Sequence, residues 1–213
     1  MYLSRAELDP ARRSTMMALA CPQKLHGAVE NSFPGERRRR LWRLDTLGEK
    51  LYLLLLSEDV PDLTGLCEQF GTASPPETRP YDPLLERVTE GSCWQFRLTA
   101  NPTESKKDPA NPMARGVLKP CYLEVEQEKW LLTQAEKHGF SIPEGAFRVT
   151  GKQTCHFLKN GKHPVTLLAV TYEGLLQVTD PVKFQEMLCQ GMGRGKAYGL
   201  GLMTILRGGN IHE

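Results

Sequence analysis

The sequence predicts an α+β protein built as two tandem ferredoxin-like units, each with the element order β-α-β-β-α-β. Three observations carry this expectation. Strand-like alternation and helix-like periodicity follow one another in that order twice along the 213 residues. Helix starts are marked by Asp-Pro, at Asp9-Pro10 and again at Asp180-Pro181, where proline occupies a position that needs no amide donor. Asn160-Gly161 sits between two β-rich runs as a hairpin turn. The length suits one large domain or two of about 100 residues; the repeated element order places two units, at residues 1–90 and 91–213.

In the first unit "MYLSRAEL" alternates as a strand. A helix is expected from Asp9 as N-cap, interrupted by Pro22. A second helical stretch follows, with Leu25, Val29 and Phe33 on one face and Pro34-Gly35 as its end. "RRLWRL" and "KLYLLLL" read as two strands joined by the turn "DTLGE". "DVPDLTGLCEQFG" reads as a short helix started by Asp59 or Asp62 and stopped by Gly71. "ASPPETRP" reads as a loop, and "DPLLERV" as the closing strand.

In the second unit "CWQFRLTA" is a strand and "NPTESKKDPANPMARGVLKP" a long loop of the kind that is usually functional or mobile. "EVEQEKWLLTQAEKHG" is a helix with Trp130, Leu131 and Ala135 toward the core and Gly139 as its stop. Two strands surround Asn160-Gly161, "DPVKFQEMLCQG" is a helix, and "GLGLMTIL" closes the set.

Composition narrows the function classes. The longest apolar run, Leu51–Leu56, is far short of the ~20 residues of a membrane span. The first ten residues lack the apolar stretch of a secretory signal, so a cytoplasmic location is expected. The six cysteines are scattered with no C-x-x-C pair and read as reduced structural thiols rather than zinc ligands. The net charge of +2 hides an uneven distribution: residues 1–50 carry a balance of +4, residues 51–145 of −6, and residues 146–213 of +4. If the two basic ends meet in space they form a positive face suited to a nucleic-acid backbone; otherwise they are solvated surface.

Four stretches bear on chemistry. "GMGRGKAYGLGL" follows a helix and has Ala197 where a Walker loop needs Ser or Thr, so neither a nucleotide P-loop nor a dinucleotide fingerprint fits. It is either a loop whose amides, with Gly193, Arg194 and Lys196, approach a phosphate, or a tight turn that needs positive φ. "KNGKH" is a basic hairpin tip, with Lys152, Lys159 and Lys162 around it, suited to a nucleic-acid groove or to water. Arg37, Arg38, Arg39 and Arg40 precede a strand, whose alternation sends guanidinium groups to both sides. The five histidines form no H-E-x-x-H and no triad spacing; alone, His26 in "CPQKLHGAVENSF" reads as a polar helix residue.

Taken in order, "MYLS", Leu25-His26, "LWRL", "FRLTANP", "EQEKWL" and "GMGRGKAYGLGLMTI" resemble the CRISPR RNA-processing endoribonucleases of the type I-E Cascade complex, the CasE family. The resemblance covers nearly the whole chain. It implies two ferredoxin-like domains and cleavage of precursor CRISPR RNA at the base of the repeat stem-loop, without metal or other cofactor. The 2′-OH attacks the adjacent phosphorus and leaves 2′,3′-cyclic phosphate and 5′-OH ends. The protein is then expected to stay on the crRNA 3′ stem-loop as a Cascade subunit; the alternative is an inactive subunit that only binds this stem-loop. His26 matches the family's catalytic histidine, as base or acid. Gln23 stands where relatives often carry tyrosine, and an amide exchanges no protons near neutrality; Lys24 is the nearest substitute, as a charge stabiliser. The resemblance also assigns RNA contact to Lys159 and Lys162 of the hairpin, to Lys196, and to the arginines before "LWRL".

Overall fold

The computed structural model describes residues 1–35, 38–107, 111, 113, 115–159 and 162–207. The first part of the chain runs β1 (Tyr2–Leu8), α1 (Arg13–Ala20), α2 (Pro22–Asn31), β2 (Leu41–Leu47), β3 (Lys50–Ser57), α3 (Thr64–Phe70), β4 (Glu77–Pro80) and the single turn α4 (Asp82–Leu85). The remainder runs β5 (Cys93–Ala100), β6 (Thr103–Lys106), β7 (Val117–Pro120), α5 (Glu124–Lys137), β8 (Phe140–Ser141), β9 (Phe147–Lys159), β10 (His163–Val178), α6 (Pro181–Gln190), a 3₁₀ turn (Lys196–Tyr198) and β11 (Met203–Arg207). No helix among the described residues is long and apolar enough to cross a membrane.

Both sheets have the strand order that the βαββαβ reading requires. The first is β2-β3-β1-β4. The second is β11-β5-β10-β9, with the two residues of β8 paired to the far end of β10. All pairings are antiparallel. Alternation explains which face is covered. Ser4, Ala6 and Leu8 of β1 are buried under the helices while Arg5 and Glu7 point away. Leu25 and Val29 of α2 and Leu66 and Phe70 of α3 close over Ala6, Leu53 and Leu55. Each such apolar side chain stabilises by roughly 1.5–3 kcal/mol when fully buried. In the second sheet Leu131 and Ala135 of α5 and Phe184 and Leu188 of α6 cover Phe96, Leu98, Val170 and Tyr172.

Several local expectations are corrected. Asp9 does not cap α1: its carboxylate accepts from the Ala11 amide in a turn, and the helix begins only at Arg13. The closing strand of the first sheet is Glu77–Pro80, inside the stretch read as a loop, and "DPLL" forms the turn of α4 instead. A short edge strand needs few ladder bonds and tolerates its terminal proline. The long loop of the second unit contains the paired strands β6 and β7. The turn between β2 and β3 is only Gly48-Glu49, with Gly48 at φ +64°. Asn160-Gly161 lies outside the described residues, between the paired Lys159 and His163. Pro22 does separate α1 from α2, as expected, by opening the second helix. Gly139, at φ +73°, follows the end of α5.

The helix-free face of the second sheet meets the edge strand β2 of the first. Arg43, fully buried, donates to both oxygens of buried Asp45, at 3.0 and 2.5 Å. The same guanidinium donates across to the carbonyls of Arg97 and Leu202 and to the Thr204 hydroxyl, each at 2.7 Å. Arg97 Nε lies 3.2 Å from Asp45 as a charge contact without hydrogen-bond alignment, and Arg97 Nη1 pairs with Glu173 at 2.8 Å. Leu41 and Leu56 complete the junction by packing into the apolar cluster of the second sheet.

Candidate active site

His26 stands in the second turn of α2, half-buried, beside the fully buried Leu25. Its ring meets Tyr198 edge to face, with centroids 6.3 Å apart and planes at 64°. Tyr198 in turn meets Phe157 of β9 at 4.9 Å, also at 64°. Three rings from α2, the glycine-rich loop and the β9–β10 hairpin therefore form one contiguous row. Tyr198 is absent from the residues that sequence reasoning selected. The available signal was a single tyrosine enclosed by the glycines of "GKAYGLG".

The glycines are explained by packing. Gly191, Gly193, Gly195, Gly199 and Gly201 all have φ between +72° and +90°, a region that costs other residues steric strain. Gly195 and Gly199 are the left-handed residues bounding the 3₁₀ turn that carries Tyr198. A Cβ on Gly199 would lie 2.6 Å from the Trp42 ring, and one on Gly191 would lie 2.7 Å from Leu41. Much of the loop's backbone is spent internally. Met192 N–H donates to Gly201 O, Gly201 N–H to Thr99 O and Tyr198 N–H to Gly195 O. These positive φ values are what the tight-turn reading requires.

The expected RNA-contacting cations are dispersed. Lys159 and Lys162 are exposed at the hairpin tip and make no ion pair among the described residues. His156, also exposed, shares a 3.0 Å hydrogen bond with the Thr166 hydroxyl. Lys152 donates to the Tyr122 carbonyl. Arg194 is exposed, in a bridge to Asn101, and Gly193 packs on Trp130. Lys196 donates to the Gln190 carbonyl at 2.8 Å, and burial, with Arg39 nearby, pulls its pKa down. Arg39 donates to the Gln190 amide oxygen at 3.0 Å. Arg38 pairs with Glu58 and Asp59 in water. Arg40 is buried, paired with Glu30 at 2.8 Å and stacked 4.0 Å over Phe33, so its charge serves α2 rather than the surface. Arg37 lies outside the described residues.

The helix separates the other two residues expected near His26. Gln23 is one turn before it, and its Oε1 is buried without a hydrogen-bond partner among the described residues. Lys24 is exposed and lines a depression with Ser14, Asn31 and Gln69, toward α1 and α3. At 100° per residue it projects well away from the His26 direction. A cavity of about 350 Å³ opens where Leu25, Trp42 and Tyr198 face Thr99, Thr171 and Lys152. A groove of about 660 Å³, walled by Leu47, Phe147, Leu175 and Leu206, extends along the same sheet face beyond Arg97. Burial raises the thiol pKa of Cys67, Cys121, Cys155 and Cys189, and all six thiols are unpaired.

Residues 1–207 match the sequence profile of a family described as CRISPR associated protein. The chain belongs to this CRISPR-associated family. It is 34% identical over 221 residues to the CRISPR-associated endoribonuclease Cse3 of Thermus thermophilus, covering 96% of this chain and 99% of that protein. A structure of CRISPR endoribonuclease Cse3 bound to 19 nt RNA superposes with a TM-score of 0.80 at 28% identity, over 97% of this chain and 100% of that one. A second, of Thermus thermophilus Cse3 with an RNA representing a pre-cleavage complex, gives 0.78 at 27% identity, over 96% and 98%. Cas6e of Escherichia coli K-12 shares the fold at 21% identity, with a TM-score of 0.68 over 96% and 98%.

Proposed function

We propose that this chain is a metal-independent endoribonuclease that cuts precursor CRISPR RNA at the base of the repeat stem-loop. In this reading it acts in the cytoplasm and keeps the crRNA 3′ stem-loop as a Cascade subunit. The observation that carries the proposal is the 34% identity across 96% of the chain to a protein named as an endoribonuclease. The unit of residues 1–90 supplies His26, and the unit of residues 91–213 supplies the basic hairpin.

The chemistry asked of these residues is internal transesterification. The ribose 2′-OH loses its proton, its oxygen bonds to the adjacent phosphorus, the P–O5′ bond breaks, and the departing O5′ takes a proton. The products are a 2′,3′-cyclic phosphate and a 5′-OH. His26 serves one of the two proton transfers, since imidazole titrates close to neutrality. Gln23, on the same side of α2, supplies an amide that orients an oxygen but moves no proton. Lys24 is the weaker assignment, because it faces α1 and α3. Lys159, Lys162 and Arg194, exposed and without ion pairs among the described residues, are the proposed phosphate contacts; A-form RNA is held mainly through shape and backbone.

The test is a cognate repeat RNA with a single 2′-deoxy sugar upstream of the cut. The proposal expects unchanged binding and no cleavage, while the all-RNA repeat is cut. Cleavage of the deoxy substrate contradicts the 2′-OH route, and binding of the all-RNA repeat without cutting supports a purely stem-loop-binding subunit.

A further inference from the structure

We infer that Tyr198 is a positioning residue for His26, held in turn by Phe157, so that the hairpin and the proposed catalytic histidine are aligned through one shared ring. The inference rests on the endoribonuclease reading and adds to it a residue to which the resemblance assigns no role.

The geometry carries it in three parts. First, Tyr198 is the ring that both others meet: 6.3 Å from His26 and 4.9 Å from Phe157, both edge to face. Such contacts are directional, because the positive edge of one ring seeks the negative face of the next. Second, Tyr198 has little freedom of its own. It ends a 3₁₀ turn bounded by left-handed Gly195 and Gly199, and Gly199 packs so close to the Trp42 ring of β2 that an added Cβ would lie 2.6 Å from it. The turn is thus anchored to the same unit that carries α2. Third, Phe157 is 8% exposed and stands two residues before Lys159, in the strand that leads to the basic tip. Strand alternation puts Phe157 and Lys159 on the same face. RNA seated on the tip therefore bears on the strand that fixes Tyr198, and Tyr198 fixes the imidazole. The proton transfers at the cut need the ring within hydrogen-bond reach of an oxygen, and misplacement by about 1 Å costs on the order of a hundredfold in rate.

The role assigned is to the ring, not to the phenol, which gives a distinguishing series. Tyr198→Phe, Tyr198→Leu and Phe157→Leu are compared by single-turnover cleavage of cognate repeat RNA at saturating protein. Affinity is measured on the same RNA with a 2′-deoxy sugar at the cut. The expected result is that Tyr198→Phe cleaves within about threefold of the wild type, while Tyr198→Leu slows by about tenfold or more. Phe157→Leu slows in the same direction by less, and all three bind within about twofold of the wild type. A residue that merely supports the fold would lower affinity and rate together and would not be rescued by Phe. Wild-type rates in both Tyr198→Leu and Phe157→Leu overturn the inference, as does a parallel loss of rate and affinity. Where Tyr198→Leu loses its fold, Phe157→Leu decides alone: full rate with full affinity overturns the inference. Failure of the wild type to cut its repeat overturns the endoribonuclease reading as well, before any variant is compared.

Discussion

Arg43 holds Asp45 through two hydrogen bonds, of 3.0 and 2.5 Å, with both side chains almost wholly out of water. Two residues of one edge strand thereby supply the polar centre of the junction between the sheets. Removing one member of such a pair leaves a buried charge behind. Arg43→Met is expected to destabilise by about 3–5 kcal/mol, toward the lower end because Arg97 remains 3.2 Å from Asp45. Replacing both residues by apolar ones is expected to recover much of that loss. Denaturant unfolding of the single and double variants measures both.

Gly199→Ala tests the anchoring of the glycine-rich loop. The added Cβ meets Trp42 at 2.6 Å, and the backbone is held at φ +80°. A cost of about 1 kcal/mol or more follows from the left-handed conformation alone. The matching change Gly48→Ala also takes a positive-φ residue, but into open space. It is expected to destabilise less and to leave cleavage untouched, whereas Gly199→Ala slows cleavage by displacing Tyr198. Thermal unfolding and single-turnover rates on the pair separate the two effects.

The exposed cations of the hairpin predict a salt signature. Lys159→Ala with Lys162→Ala is expected to weaken repeat binding. The slope of log Kd against log salt should flatten by about one unit for each phosphate that the variant no longer neutralises. Arg40→Ala, in contrast, is expected to lower stability without changing that slope, because Arg40 is spent on Glu30 and Phe33. Fluorescence titrations at several salt concentrations measure both slopes.

Acid should weaken the first sheet at its β4 edge. Hydrogen bonding and charge attraction from Arg5 lower the Glu77 pKa, and Lys50 does the same for Glu7. A carboxylate whose folded pKa is depressed contributes fully above its unfolded value, about 4.3 for Glu. That contribution is lost as pH falls through the depressed folded value. The contribution of these two carboxylates is therefore expected to be flat from neutrality to about pH 5 and to fall below it, on top of an earlier loss below about pH 6.5 from His138, whose pKa burial lowers. Amide exchange should rise first in the β1–β4 ladder, since β4 pairs with no other strand among the described residues.

The order of elements was legible because period-2 and period-3.6 patterns are local. Leu25 and Val29 fall on one buried face as their spacing requires. Where reading failed, a non-local partner decided. Glu77–Pro80 has the composition of a loop and becomes a strand only because β1 offers an unpaired edge. Asp9 precedes Pro10 as a cap does, but its carboxylate closes a turn before the helix starts. Arg40 resembles its three neighbours in sequence, and only the folded positions of Glu30 and Phe33 draw it inward. His26 could be selected by resemblance. Tyr198 lies inside a matched motif, but no local pattern shows that its ring meets His26, and Phe157, which meets Tyr198, lies in no matched motif.

The central claim is that His26 performs proton transfer in a metal-free RNA cleavage. The most direct measurement is single-turnover cleavage of the cognate repeat in excess EDTA by the wild type and by His26→Ala, with affinity measured in parallel. The account predicts one cut at the base of the stem with a cyclic phosphate end, a loss of about 10²–10⁴-fold in rate for His26→Ala, and unchanged binding. Cleavage by His26→Ala at the wild-type rate, or a wild type that binds the repeat and leaves it intact, would contradict it.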